Sequence, residues 1–124
     1  ILGDGETEQG QIWEAAMFGA HYKLDNLVAF VDFNGLQIDG KITEVMNPTP
    51  LDEKFAAFGW NVITIDAHDF DQIARECTGK PTAVICKSIK GRGVSFMENQ
   101  VGWHGKAPSE EQYNLAVTEL TASV

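Results

Sequence analysis

The chain has 124 residues, the size of one ordinary domain, and 44% of them are hydrophobic. Eighteen acidic residues against nine basic ones give a formal net charge of −9, which argues against sequence-independent binding to nucleic acid or to an anionic membrane. No apolar run approaches the roughly 20 residues that cross a bilayer, and nothing resembles a signal peptide. We therefore expect a single cytoplasmic domain over residues 1–124.

The first half of the chain alternates apolar runs with helical periods. Ile1 and Leu2 predict the end of a buried strand, and 27–33 (LVAFVDF) predicts a strand that is covered on both faces. Between them, residues 11–22 predict a helix whose inner face holds Ile12, Ala15, Ala16, Gly19 and Ala20. Further on, Thr49 predicts the N-cap of a helix that has Pro50 at its first position and ends at Gly59.

The second half continues the alternation. Strands are predicted at 60–65 and 82–87, separated by a helix that Asp69 caps and that runs through Cys77. After a Gly-rich loop, Ser109 and Gln112 form a capping box that begins the last helix. Cys77 and Cys86 lack metal-ligand spacing, so we expect both to be reduced core residues.

This order of elements predicts an α/β fold, namely a parallel sheet with right-handed crossovers and helices on both faces. Ligands of such folds bind beyond the carboxyl ends of the strands. An open parallel sheet normally begins with a complete strand, whereas this chain reaches a Gly-Asp-Gly turn after two residues. We therefore expect the N-terminal portion of the fold to be missing from this chain.

The Gly-Asp-Gly turn is the first candidate site. Gly3 and Gly5 leave room for a ligand next to a helix N-terminus, a place that favours an anion. Because Asp4 is itself anionic, a cation must lie between them, and a phosphate-bound Mg²⁺ or Ca²⁺ satisfies that requirement. A bare turn without a ligand is the alternative interpretation.

The end of the second strand supports the metal. Asn34 follows a buried strand, and it meets Asp4 if the two strands are neighbours. Gly35 permits a tight turn, so a backbone carbonyl just beyond it, such as that of Leu36, can supply a third oxygen. Two phosphate oxygens and a water would complete the octahedron that Mg²⁺ requires.

A local basic cluster, KSIKGRG, contrasts with the acidic chain. Within it Lys90 suits a phosphate group, although a solvated surface lysine is an equal alternative. His104, in the segment WHG, can exchange a proton near neutral pH or serve as a structural loop residue. For His21 and His68 we expect structural roles.

The run GDGETEQGQIWEAAMFGAHYKLDNLVAFVDFNGLQIDG resembles the thiamine-diphosphate signature of the transketolases, which opens on GDG and closes on an asparagine about thirty residues later. The segments KGRGVSFMEN and WHG are also similar to that family, so the resemblance covers essentially the whole chain. It implies transfer of a two-carbon ketol unit between sugar phosphates, with thiamine diphosphate and a divalent metal as cofactors.

The resemblance also implies a role for each site residue. Asp4, Asn34 and the Leu36 carbonyl hold the metal, and Gly5 contacts the diphosphate. Lys90 binds the diphosphate, while His104 reaches both the cofactor and the sugar substrate and is the catalytic candidate. The family's activating glutamate lies in a pyrimidine domain, usually of another subunit, so the resemblance implies a partner chain and a dimer or hetero-oligomer.

One position departs from the family. Gln9 stands where the family usually has a glutamate that belongs to an acidic bridge between active sites, and Glu14 of the WEA segment is a further candidate for that network. Glutamine can hydrogen-bond but carries no charge. Gln9 and the missing upstream segment leave a catalytically idle structural subunit open as an alternative. A related enzyme such as a deoxyxylulose-phosphate synthase, which shares GDG and WEA, is a second alternative, although KGRGVSFMEN and WHG weigh against it.

Overall fold

The structure, a computed structural model, describes residues 1–73 and 79–122. Cys77, at the predicted end of the fourth helix, lies outside the described residues. In chain order the strands and helices are β1 (Leu2–Gly3), α1 (Gly10–His21), β2 (Val28–Phe33), β3 (Leu36–Gln37), β4 (Gly40–Lys41), α2 (Ile42–Val45), α3 (Leu51–Ala57), β5 (Asn61–Asp66), α4 (Phe70–Ile73), β6 (Thr82–Lys87) and α5 (Glu110–Ala122).

Four of the strands form one parallel sheet in the order β1-β2-β6-β5. The predicted α/β class is confirmed. Gly3 pairs with Asp32 near the end of β2, and Lys87 at the end of β6 pairs with both Phe33 and Asp66. The carboxyl ends of all four strands therefore lie along one edge, where open parallel sheets bind their ligands. A short antiparallel hairpin, β3 with β4, follows β2 at that edge.

The core lies mainly between one face of the sheet and helices α1 and α3. Phe55 of α3 is 1% exposed and packs between Trp13 and Trp60, with ring centroids 5.3 and 5.5 Å away. The Trp60 indole N–H donates to the Ala16 carbonyl at 2.8 Å, so this buried polar group is satisfied. A smaller cluster around Ile65, Val84 and Cys86 lies apart from it.

Two local predictions were wrong. Pro50, not Thr49, is the N-cap of α3, and the Thr49 hydroxyl donates to the Asn47 side chain instead. In α1, Ala15 is exposed and Trp13 packs against the core in its place. The capping box of the last helix is confirmed, with hydrogen bonds in both directions between Ser109 and Gln112. Among the described residues, no helix is long and apolar enough to cross a bilayer.

Candidate functional site

A cleft of about 500 Å³ opens at the carboxyl ends of β1 and β2. All six residues that the sequence predicted for the site line it: Asp4, Gly5, Asn34, Leu36, Lys90 and His104. They come from four separate segments, and the parallel register of β1 and β2 is what brings the first two segments together. Further lining residues are Gly3, Glu6, Gln9, Asp32, Gln37 and Ile38.

Asp4 is the buried anion of this cleft, with only 1% of its surface exposed. One carboxylate oxygen accepts the Gly5 N–H at 2.8 Å, and the other accepts the Gly35 N–H at 2.6 Å. Burial raises the pKa of Asp4 above its ordinary value, the two N–H groups oppose that rise, and the nearby Asp32 charge adds to it. A cation at the cleft would relieve both the burial cost and the repulsion.

The turn after β2 is built to deliver one of those N–H groups. Gly35 has a φ of +76°, a left-handed conformation that residues with a Cβ rarely adopt. In that conformation its N–H reaches across to Asp4 on the neighbouring strand segment, 31 positions away in sequence. The sequence expectation that Gly35 permits a tight turn is confirmed.

Asn34 is held in one orientation by two hydrogen bonds. Its amide nitrogen donates to Asp32 at 3.2 Å, and its amide oxygen accepts the Leu36 N–H at 3.0 Å. An amide oxygen has a second lone pair, which stays available for a metal. The second Asp32 oxygen accepts the Ser88 hydroxyl from the end of β6. Asp32 therefore fixes which atom of Asn34 is the oxygen.

Lys90 lies in the loop after β6 and is half-buried. Its backbone carbonyl accepts the Asn99 N–H at 2.9 Å, and this hydrogen bond joins the two ends of the loop segment 90–99. The next residue, Gly91, has a φ of +70°, and a Cβ there would lie 2.7 Å from the Met97 carbonyl oxygen. Only glycine fits this close approach, so the GRG segment fixes the backbone that carries Lys90.

His104 is exposed and follows a single 3₁₀ turn, Val101–Trp103. Its backbone N–H donates to the Val101 carbonyl at 2.9 Å, and the Trp103 indole N–H donates to the Phe96 carbonyl at the same distance. These bonds hold the turn against the loop that carries Lys90. The imidazole thus lines the same cleft as Asp4 while it keeps contact with solvent.

The residues present fit a metal-bound diphosphate. In the described part of the chain no three His, Cys, Asp or Glu side chains form a metal-binding group, so a metal here needs amide, backbone and ligand oxygens as well. Mg²⁺ is commonly held in that way, by one or two carboxylates together with phosphate oxygens. The cleft lining carries three carboxylates and one lysine, and an anionic ligand enters such a site together with a cation.

Two acidic residues of this cleft, Glu6 and Asp32, were missed from the sequence. Glu6 accepts the Gly3 N–H at 2.6 Å. The sequence did contain a signal for Asp32 as a site residue, since it is a carboxylate at the carboxyl end of a strand otherwise made of apolar residues. Gln9, the departure from the family, also lines the cleft, and its amide oxygen accepts from Gln11 at 2.7 Å.

A parallel sheet with a buried carboxylate, an oriented asparagine and a lysine at its strand ends is the arrangement expected of a domain that binds the diphosphate of a cofactor. The chain belongs to the family described as the transketolase thiamine diphosphate binding domain, whose model matches residues 1–121. The resemblance inferred from GDG, KGRG and WHG is confirmed.

Two relatives of the chain are also named as transketolase subunits. The chain is 45% identical to the protein named 6-deoxy-6-sulfo-D-fructose transketolase subunit SqwG from Clostridium sp. (strain MSTE9), covering 97% of this chain and 46% of that protein. It is 42% identical to one of the subunits of the apulose-4-phosphate transketolase of Phocaeicola vulgatus, covering 100% of this chain and 46% of that protein. The chain spans about half the length of these relatives.

A solved structure shows the same fold. Transketolase from Campylobacter jejuni superposes with a TM-score of 0.89 at 28% identity, and the match covers 97% of this chain and 20% of that one. The chain therefore corresponds to one part, 20%, of the longer Campylobacter jejuni transketolase chain.

Proposed function

We propose that this chain provides the diphosphate-binding part of a thiamine-diphosphate-dependent transketolase, which transfers a two-carbon ketol unit from a ketose phosphate to an aldose phosphate. The observation that carries the proposal is the single cleft that collects Asp4, Asn34, Lys90 and His104 from four segments of the chain.

Each residue has a role in binding. Asp4, Asn34 and the Leu36 carbonyl hold Mg²⁺ or Ca²⁺, and the metal neutralises the diphosphate. Gly5 has no Cβ, so the diphosphate can approach the backbone there. Lys90 places a compact positive charge on the phosphate oxygens.

Thiamine diphosphate, when bound, supplies the electron sink that cleavage of a carbon–carbon bond requires. His104 is the catalytic residue of this chain, because its imidazole lines the cleft and one ring nitrogen can accept a hydrogen bond while the other donates one. Its imidazole accepts a hydrogen bond from a sugar hydroxyl when neutral and donates one when protonated.

A partner chain completes the site. The family's activating glutamate comes from a pyrimidine domain, and two relatives are named as transketolase subunits. We therefore propose a dimer or hetero-oligomer with a pyrimidine-domain chain.

Cys86 is a buried free thiol, and burial followed by the Asp32 charge raises its pKa, which keeps it protonated and unreactive. A reduced thiol suits the proposed cytoplasmic location.

The second candidate is a catalytically idle subunit that keeps the fold. Gln9 favours it, because glutamine cannot carry the charge or exchange the proton of the carboxyl group usual at this position. An idle subunit would bind its partner while the complex showed no turnover that depends on His104.

The test uses the full-length polypeptide assembled with its partner chain, whose composition native mass spectrometry establishes. One assay offers a ketose phosphate with an aldose phosphate, and a second offers pyruvate with glyceraldehyde phosphate. The proposal expects activity in the first assay, its loss in Asp4→Asn and His104→Ala, and unchanged activity in the exposed-loop control Asp25→Asn. Activity only with pyruvate, or activity indifferent to both substitutions, would contradict it.

A further inference from the structure

A second cleft, of about 430 Å³, opens at the carboxyl ends of β5 and β6. We call it the β5–β6 cleft. Its lining consists of Thr64, Ile65, Asp66, His68, Lys87, Ser88, Ile89 and Arg92. None of these residues lines the first cleft, although the Ser88 hydroxyl donates to Asp32 there, so the two sites share a wall.

The frame of the β5–β6 cleft is fixed by hydrogen bonds across the two strand ends. The Ala67 N–H donates to the Lys87 carbonyl at 2.9 Å. The Ile89 N–H donates to the imidazole Nε2 of His68, also at 2.9 Å. The segment after β5 and the segment after β6 are therefore tied together at two points, and a ligand would meet a pre-formed surface.

That second bond fixes the tautomer of His68. Because Nε2 accepts a hydrogen bond, it carries no proton in the neutral ring, and the proton lies on Nδ1. Within the described part of the chain, Nδ1 has no hydrogen-bond acceptor. Besides the structural role that the sequence predicted for it, His68 thus adds an N–H donor to this lining.

The charges of the cleft favour an anion. Lys87 and Arg92 supply two positive charges, and neither forms an ion pair with any residue that the structure describes. The one acidic residue of the lining, Asp66, uses a carboxylate oxygen to accept the backbone N–H of His68 at 2.9 Å. In a chain of net charge −9, a cleft lined by two cations that pair with no described residue, together with a further N–H donor, is a local exception.

We propose that the β5–β6 cleft binds the phosphate group of a small phosphorylated metabolite, with Lys87 and Arg92 as the charged ligands and His68 as a neutral donor. Arginine suits such a group because its planar fork can hold two oxygens at once. The phosphate has two sources, a free metabolite or the far end of a sugar phosphate that extends from the first cleft. The second source rests on the proposed function, whereas the site itself does not, because it involves other residues.

Chemical footprinting tests this site in the assembled full-length protein. An amine-acylating reagent is applied with inorganic phosphate, or with sodium chloride at the same ionic strength, and mass spectrometry follows Lys87 and Lys41. Saturating thiamine diphosphate and Mg²⁺ keep the first cleft filled. We expect phosphate to slow labelling of Lys87 by about threefold or more, as a direct charge-assisted contact does, and to leave Lys41 unchanged. Lys41 is the matched control because it is exposed and already pairs with Glu44 at 3.3 Å.

The Arg92→Gln variant sharpens the test. It removes one proposed ligand without touching Lys87, so the protection of Lys87 should fall to less than half of the parental value. Equal protection of Lys87 and Lys41 would mean general screening and would overturn the site. Protection of Lys87 that Arg92→Gln leaves intact would overturn it as well.

A further arm separates the two sources of the phosphate. Protection by a sugar phosphate is measured with and without thiamine diphosphate. Protection that requires the cofactor assigns the group to the substrate, and protection that is independent of it assigns a separate metabolite. Both results support the site, while absence of protection in both arms, together with none by inorganic phosphate, would refute it.

Discussion

Asp32 is the cleft residue whose substitution tests how Asn34 is oriented. Its two oxygens accept from the Ser88 hydroxyl and from the Asn34 amide nitrogen. In Asp32→Asn a single amide oxygen faces two donors, so one of these hydrogen bonds is lost. If Asn34 flips to compensate, its NH₂ group faces the Leu36 N–H, which in the parent donates to the Asn34 oxygen.

The expected loss of affinity follows from the hydrogen bond that is lost. A hydrogen bond to a charged group contributes about 1.5–3 kcal/mol. Binding must then restore the Asn34 orientation at about that cost, which at about 1.4 kcal/mol per factor of ten gives roughly 10- to 100-fold weaker binding of the metal-diphosphate pair. Residues that orient metal ligands show the same range, about 10- to 100-fold.

A second effect opposes the loss. The Asp32 charge contributes to the raised pKa of Asp4, so its removal lowers that pKa and keeps Asp4 ionised down to a lower pH. The affinity of Asp32→Asn should therefore be weaker than that of the parent at neutral pH, yet begin its acid decline at a lower pH.

Calorimetry of thiamine diphosphate binding, at several Mg²⁺ concentrations and pH values, measures both effects in the assembled protein. Asp66→Asn is the matched control, since it makes the same change at the end of β5, outside the first cleft. Parental affinity in Asp32→Asn, or an equal loss in Asp66→Asn, would refute the reasoning.

Three further predictions concern other parts of the chain. Lys90→Gln should weaken thiamine diphosphate binding by about tenfold or more and thiamine monophosphate binding by less, because the lost charge faces the diphosphate; equal losses in calorimetry would contradict the role. Phe55→Ala should lower the free energy of unfolding by about 3–5 kcal/mol in urea titrations, since Phe55 fills the centre of the core; a loss below about 1 kcal/mol would contradict this packing. Two hydrogen bonds lower the pKa of Glu119, the larger effect coming from the Ser95 hydroxyl and the smaller from the Ser95 N–H. The stability that these bonds give the folded chain is therefore fully present above the ordinary glutamate pKa, and it is lost as the pH falls through the lowered pKa. In Ser95→Ala the N–H stays, and the NMR titration of Glu119 should shift part of the way to its ordinary pKa; an unmoved titration would dismiss the hydroxyl contact.

The sheet and the meeting of Asp4 with Asn34 could be predicted because both depend on regular patterns. The apolar run 82–87 is β6 to the residue, since a central parallel strand is buried on both faces. Two strands about thirty residues apart make a βαβ unit, and their carboxyl ends then meet at one edge. Asp4 and Gly35 are joined there by a hydrogen bond.

Features that depend on tertiary geometry escaped prediction. The contact between Asp32 and Ser88 joins residues 56 positions apart and follows only from the register of β2 with β6. The hairpin of β3 and β4 has two-residue strands, too short for a period to show in the sequence. Threonine is a residue type that caps helices, but the Thr49 hydroxyl donates to the Asn47 side chain instead.

The proposed function depends on Asp4 as a ligand of the metal that would accompany the cofactor diphosphate. Calorimetry of thiamine diphosphate with Mg²⁺, on the assembled parent and on Asp4→Asn, tests it most directly, with Asp25→Asn as the exposed control. We expect Mg²⁺-dependent binding in the parent and in Asp25→Asn, and at least about 100-fold weaker binding in Asp4→Asn, a loss of about 2.8 kcal/mol. Binding as tight in Asp4→Asn as in the parent would contradict it.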